Sequence, residues 1–287
     1  MRDIQRKKIK SNNALFTAAI WLLASLLCNP GFAYPDPDKV IICFYSSEAN
    51  INNYKSLKME LDSYLSKFGR YEFQPFFDRE NFEDFIKTKK DCILILSAWH
   101  YCNMVSQCFL EPVLFGVRNG KNCQKRVLVT KDAKQNSGNI FNGLATASSK
   151  EHTLGMLKQM VRTPLALDTV KLLEVPKEID ALMAVCFGMA DSALTTINTF
   201  ESLKLINPKL SGELKVVAES GEFFHLILAI PKSFEQNSES IVRVIEKMNM
   251  DPEGKEKISM MGLDSWEKIT PSDRLKLECL SNAGIVR

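Results

Sequence analysis

Short, wholly apolar runs alternate along the chain with stretches whose apolar residues recur every three or four positions. Lys39–Tyr45 (KVIICFY) is a continuous apolar run after its first residue and predicts a buried strand. Leu57, Leu61, Tyr64, Leu65 and Phe68 then fall on one helical face, Gly69 stops that helix, and Tyr71–Phe77 predicts a second strand. A short helix carrying Phe82, Phe85 and Ile86 leads to a third strand at Cys92–Leu96 (CILIL). Strands and helices in this alternation imply a parallel sheet with right-handed crossovers.

The second half repeats the theme. Arg126–Thr130 and Gly143–Thr146 predict short strands, and the polar, turn-rich stretch between them, residues 131–142, predicts a crossing between two lobes. A helix follows Ser148-Ser149, with Leu154, Leu157 and Val161 on one face; Thr169–Leu173 is a strand, and Pro176 opens a helix with Ile179, Leu182, Met183 and Cys186 inward. Strands at Ser192–Thr195, Leu214–Ala218 and His225–Ile230 precede a helix bearing Ile241, Val244, Ile245 and Met248, then a helical tail. The expected architecture is therefore α/β and two-lobed, each lobe a mostly parallel sheet flanked by helices. Its first lobe takes residues 34–130, its second 131–221, and residues 222–287 return to the first lobe and end in the tail.

Charge changes the picture only at the N-terminus. Of 37 basic and 34 acidic side chains, five bases and one acid fall within residues 1–33, so the formal +3 of the whole chain becomes −1 without them. A basic nucleic-acid binder is not expected. The same segment reads as a cleaved secretory signal: a basic stretch to Asn13, an uncharged apolar run from Ala14 to Cys28, a break at Asn29-Pro30-Gly31, and small residues at Gly31 and Ala33 before Tyr34. The apolar run is shorter than the roughly 20 residues that cross a bilayer. A free periplasmic protein, monomeric, is the expectation.

Export makes the cysteines candidates for pairing. Cys43, Cys92 and Cys186 sit in apolar runs and read as small buried residues, whereas Cys102, Cys108 and Cys123 flank loops and are the disulfide candidates.

Open α/β sheets bind ligands beyond the carboxyl ends of their strands. The segments there are Ser46-Ser47-Glu48, Asp78–Phe82, Ser97–Tyr101, Ala147–Thr153 and Thr195–Phe200, all rich in small hydroxyl residues. Hydroxyls and backbone N–H groups at helix starts suit an anion. Each such residue can equally be a helix cap. His152 reads as an exposed polar residue and His225 as a packed one.

Three stretches carry a family resemblance. Tyr54–Lys87 (YKSLKMELDSYLSKFGRYEFQPFFDRENFEDFIK), Val175–Leu203 (VPKEIDALMAVCFGMADSALTTINTFESL) and Asp251–Leu277 (DPEGKEKISMMGLDSWEKITPSDRLKL) resemble, in order and spacing, phosphonate/phosphite-type periplasmic solute-binding proteins. The resemblance implies a type II periplasmic-binding fold that closes on a small anionic ligand and passes it to an ABC permease or a membrane sensor. It implies a Ser-Thr-Ser run at a second-lobe helix start, which here is Ser148-Ser149-Lys150-Glu151. It also implies a cleft histidine near Glu178 or Ile179, a tyrosine near Asn81 or Phe82, and a carboxylate after Asn198-Thr199, where Phe200 stands instead. The expected ligand set is Ser46, Ser47, Asn81, Ser97, His100, Tyr101, Ser148, Ser149 and Thr199, with no cofactor.

Two other readings stay open at this point. His100, Cys102, Met104 and Cys108 place soft donors just after a strand, which would suit a copper or arsenic species. Enzymatic chemistry is not expected, because no base, orienter and oxyanion hole accompany any nucleophile. The stretch from Gly116 to Lys121 is one residue short of a phosphate-binding loop and reads as a turn.

Overall fold

The computed structural model describes residues 39–49, 51–131, 143–161 and 170–280. The expected signal segment and Tyr34, nearly all of the 131–142 crossing, and Thr169 lie outside them.

In chain order the elements are β1 (Val40–Tyr45), α1 (Tyr54–Leu65), β2 (Tyr71–Pro75), α2 (Arg79–Thr88), β3 (Cys92–Ser97), α3 (Ala98–Cys108), β4 (Leu110–Val117) and β5 (Cys123–Thr130). Then follow β6 (Leu144–Thr146), α4 (Lys150–Met160), β7 (Leu172–Glu174), α5 (Glu178–Cys186), β8 (Ser192–Thr196), α6 (Ile197–Ile206), α7 (Pro208–Gly212) and β9 (Lys215–Phe224). β10 (Leu226–Pro231), α8 (Glu235–Glu246), α9 (Pro252–Met260), β11 (Ser265–Lys268) and α10 (Pro271–Leu280) complete the described chain.

The strands form two sheets, β11-β4-β10-β3-β1-β2 and β7-β6-β8-β5-β9. Each sheet has helices on both faces, which is why its central strands read as unbroken apolar runs. In the first sheet Ile42, Phe44, Ile93 and Ile95 point into one core and Ile41, Cys43, Leu94 and Leu96 into the other. In the second, Val127, Val129 and Ala193 face one core, and Leu128, Leu144 and Leu194 the opposite one.

The α/β, two-sheet class holds. The sheets are mixed rather than mostly parallel: β1 pairs in parallel with β2 and β3, but β10 runs antiparallel between β3 and β4, and β5 antiparallel between β8 and β9. β5 and β10 are the strands that arrive from the other sheet, so they enter against the local direction. This also corrects the lobe limits. β5 already belongs to the second sheet, and β9 extends that sheet to Phe224. The chain therefore changes sheets within residues 118–122 and again at His225, not at 131 and 222. The first change is made by a tight turn in which Arg118 and Lys121 bridge across Asn119 and Gly120, at φ +52° and +68°. An Asn-Gly pair adopts that left-handed backbone readily, so Arg118–Lys121 is a turn, and Gly116 and Val117 before it close β4.

The expected disulfide among Cys102, Cys108 and Cys123 is not formed; all three are free thiols. Cys102 and Cys108 lie six residues apart on α3, about 9 Å along its axis. That exceeds the roughly 4.4–6.8 Å between the Cα atoms of a bridge. Cys123 opens β5 in the other sheet.

Candidate functional site

The loops that leave β1, β3, β6 and β8 converge where the two lobes meet, and the lobes are joined there by direct bonds. The Glu178 N–H donates to the Ser47 carbonyl at 3.0 Å, and Lys177 Nζ to the Ile51 carbonyl at 2.8 Å. Lys177 also lies over the rings of Tyr54 and Phe77, each about 5.8 Å from the ring centre.

Arg126 of β5 occupies the middle of this junction and is 0% exposed. Its Nη1 donates to Glu178 Oε1 at 2.7 Å, its Nη2 stands 3.5 Å from Glu48 Oε1, and its guanidinium sits 5.4 Å from the centre of the Phe223 ring. Glu178, also 0% exposed, is gripped at its other oxygen by the Thr196 N–H at 2.7 Å and by the hydroxyls of Thr195 at 3.1 Å and Thr199 at 3.4 Å. A carboxylate of the chain's own thus fills the positive end of α6. Glu48 accepts from Gln124 Nε2, which the Asn198 amide completes by donating to Gln124 Oε1 at 2.9 Å.

Around this ion cluster lies a set of buried polar atoms with no hydrogen-bond partner among the described residues. They include the hydroxyls of Ser47, Ser97 and Ser148, Trp99 Nε1, His100 Nδ1, Arg126 Nε and Nη2, both ring nitrogens of His152, and Glu48 Oε1. Buried polar groups are normally paired, and each orphan costs about 1–3 kcal/mol. Most of these atoms can donate, namely the three hydroxyls, the indole and guanidinium N–H groups and one nitrogen of His152, so their natural complement is an anion. Trp99 stacks on His100 at 4.9 Å between ring centres and meets His152 at 5.2 Å, carrying the cluster from the first lobe to the second. A cavity of about 50 Å³ adjoins them, lined by Trp99, His152, Met156, Ser220 and Phe223. A larger groove of about 920 Å³ along α2 and α3 includes none of the unpartnered atoms.

Burial governs the titrations here. His152 is held well below the ordinary histidine range by burial and by the Arg126 charge. His100 is lowered by burial, partly offset by Glu83, whose Oε1 lies 2.9 Å from its Nε2. Burial followed by the neighbouring Glu178 pushes Glu48 up to about 7.

Of the expected ligand set, Ser47, Ser97, His100 and Ser148 contribute unpartnered buried atoms to the cluster. Thr199 is present but spent on Glu178. Ser46 caps its own turn, its hydroxyl accepting from the Glu48 N–H, and Ser149 caps α4 by accepting from the His152 N–H at 3.2 Å. Asn81 is exposed and bonded to Asp78 at the start of α2, and Tyr101 joins the first-lobe core behind α3. His152, expected to be exposed, is buried. The soft-donor set does not assemble: Cys102 faces the Leu277 carbonyl, His100 turns to Glu83, and no three metal-type side chains group together among the described residues. Arg126, Trp99 and Gln124 were missed. The available signal for Arg126 was an arginine immediately before the apolar run Val127–Val129 of a strand.

The model of the family described as ABC transporter, phosphonate, periplasmic substrate-binding protein matches residues 40–274. No curated protein matches the chain by sequence. Among solved structures, PhnD1 from Prochlorococcus marinus in complex with methylphosphonate superposes with a TM-score of 0.66 at 14% identity, over 86% of this chain and 98% of that one. A binding protein component of an ABC phosphonate transporter from Pseudomonas aeruginosa gives a TM-score of 0.65 at 16% identity, over 85% and 86%. A Xanthomonas citri protein bound to ATP gives 0.65 at 14% identity, over 86% and 96%. At such identities these likenesses establish the fold.

Proposed function

Because the chain belongs to the family of periplasmic substrate-binding proteins of ABC phosphonate transporters, we propose that it captures a small phosphonate- or phosphate-like oxyanion between its lobes and hands it to an ABC permease. Members of that family bind rather than transform their solutes. The observation that carries the ligand class is the ring of buried, unpartnered donors around Arg126. A guanidinium edge, three hydroxyls and an indole N–H are the chemistry that replaces the hydration of a compact anion. Delivery to an importer, rather than signalling to a membrane sensor, follows the family match, and the protein acts as a monomer.

A thermal-shift screen with phosphate, phosphite, methylphosphonate, sulfate and arsenic oxyanions tests this. A true ligand at 100 times its dissociation constant should add about 2.7 kcal/mol to folding stability. Absence of any shift at millimolar concentration overturns the oxyanion class. The two serines of the α4 start should separate in the same assay. Ser148→Ala should weaken binding by about 1–2 kcal/mol with little effect on the free protein. Ser149→Ala removes the helix cap and should lower stability by about 1 kcal/mol. Equal effects on binding would place both hydroxyls on the ligand.

Residues 1–33 act as an export signal, and the mature protein starts at Tyr34 in the periplasm. The basic start, the short apolar run and the small residues at Gly31 and Ala33 support this. Among the described residues no helix is long and apolar enough to cross a membrane. Intact-mass measurement of the exported protein should give a chain beginning at Tyr34; a retained Met1 or an acylated Cys28 would put it on the membrane.

A further inference from the structure

We propose that the groove of about 920 Å³ along α2 and α3 is a second binding site, for a free anionic amphiphile with a single apolar chain. It shares none of the unpartnered donors of the junction and does not depend on the oxyanion reading. Its volume is that of a small-molecule pocket, about 300–1,000 Å³. The floor is apolar: Ile86 of α2, Leu94 of β3, Met104 of α3 and Leu110 of β4 line it. The Cys92 thiol donates to the Lys89 carbonyl at 3.0 Å and so ties the turn after α2 to this floor. Cys108, at the end of α3, adds a half-buried thiol that burial pushes up, which keeps it neutral at pH 7. Phe109 forms the lip, with a left-handed backbone at φ +48° and a ring left 72% exposed. Glycine is the usual residue in that conformation after a helix, so this phenylalanine is held at a conformational cost with its ring in water. An apolar chain lying against the ring offsets that exposure.

The rim is cationic. Arg79 is matched by Glu83 at 3.8 Å and Glu174 at 3.5 Å, and Lys87 by Asp84 at 2.7 Å. Lys89, Lys90 and Lys232 also line the groove; all three are exposed and have no ion partner among the described residues. Of the two carboxylates in the lining, Glu83 is engaged by His100 at 2.9 Å, which leaves Glu151 against three free lysines. An uncharged apolar ligand would leave these cations unanswered, and an inorganic anion would leave the floor wet. A single chain under an anionic head answers both, and a cationic head is repelled.

Dodecanoate, kept below the concentration at which it forms micelles, is the probe. Cys123 is also a half-buried thiol but opens β5 in the other sheet, so it is an internal control for Cys108. Alkylation of the protein with iodoacetamide, read by peptide mapping, should slow about tenfold at Cys108 when dodecanoate stands at about ten times its dissociation constant. Cys123 should keep its rate. Dodecyltrimethylammonium, the same chain under a cationic head, and acetate, an anion without a chain, should protect neither thiol. Calorimetry supplies the dissociation constant. It should weaken at least about fivefold in Phe109→Gly, which removes the aromatic lip while relieving its left-handed backbone, so the fold is kept. Replacing the exposed Lys89, Lys90 and Lys232 together by glutamine should weaken it at least about tenfold. Unslowed alkylation of Cys108, equal protection of Cys108 and Cys123, or equal protection by dodecyltrimethylammonium overturns the proposal. So does an unchanged dissociation constant in either variant. None of these readouts involves the junction, so they decide the matter whatever the oxyanion screen finds.

Discussion

Replacing Arg126 by methionine is expected to destabilise the protein by about 3–5 kcal/mol, the range found when one partner of a buried ion pair is removed. Methionine fills a similar volume against Phe223, so little of the loss comes from packing. The cost arises because Glu178 loses a 2.7 Å donor and Glu48 its nearest positive charge, while both stay buried. Urea unfolding, with midpoint and slope fitted together, measures it. A loss below about 1 kcal/mol would show that Arg126 is not the charge that makes these carboxylates tolerable. Adding Glu48→Gln and Glu178→Gln to Arg126→Met should recover much of the stability, because all-neutral replacements of buried ion clusters are often nearly neutral. They should not recover binding: with Nε and Nη2 gone, affinity for the oxyanion should stay reduced at least about 100-fold.

The parts of this fold legible in the sequence are those where one physical demand dominates. β1, β3 and β10 are covered by helices on both faces, and their unbroken apolar runs announce it. β4 carries Glu111 and Pro112 within its first three residues, and β11 is only Ser265–Lys268 with three polar positions; neither signals a strand. The polar start of β5, Cys123-Gln124-Lys125, hid the sheet change at 118–122 behind what reads as loop. At the junction the same contrast holds. Ser47, Ser97 and Ser148 could be found because they follow strands, which is where α/β folds place ligands. Asn81 and Tyr101 satisfied the same rule, but one is bonded at a helix start and the other turns into the core, and sequence periodicity does not say which helix face meets the opposite lobe. Arg126 and Glu178 are 52 residues apart, so their pairing inside the second lobe comes from tertiary packing and leaves no local signal in the sequence.

The pH dependence of stability should show two opposed groups of titrations in one junction. Burial, then the Arg118 charge, lowers His225 to about 4; burial lowers His100, and His152 lies well below the ordinary value of 6.5. In each case the unfolded chain takes up a proton before the folded one does as pH falls. The contribution of these histidines is therefore complete above pH 6.5 and lost between there and their folded values. His225 alone removes about 3 kcal/mol by pH 4. Glu48 acts in the opposite sense. Its folded value near 7 stands above its unfolded value of 4.5, so the folded protein binds the proton first and gains stability as pH falls from 7 to 4.5, by up to about 3 kcal/mol. In the wild type the Glu48 gain offsets only about one of the three histidine losses between pH 7 and 5, so urea midpoints should decline gradually there before dropping steeply below pH 4.5. Glu48→Gln deletes the gain and exposes the loss, so its midpoint should fall continuously from pH 6.5 downward. His225→Asn should do the reverse, flattening the acid limb. Parallel acid limbs in wild type and Glu48→Gln would mean that Glu48 titrates at the same pH folded and unfolded, and that the junction does not bury its charge.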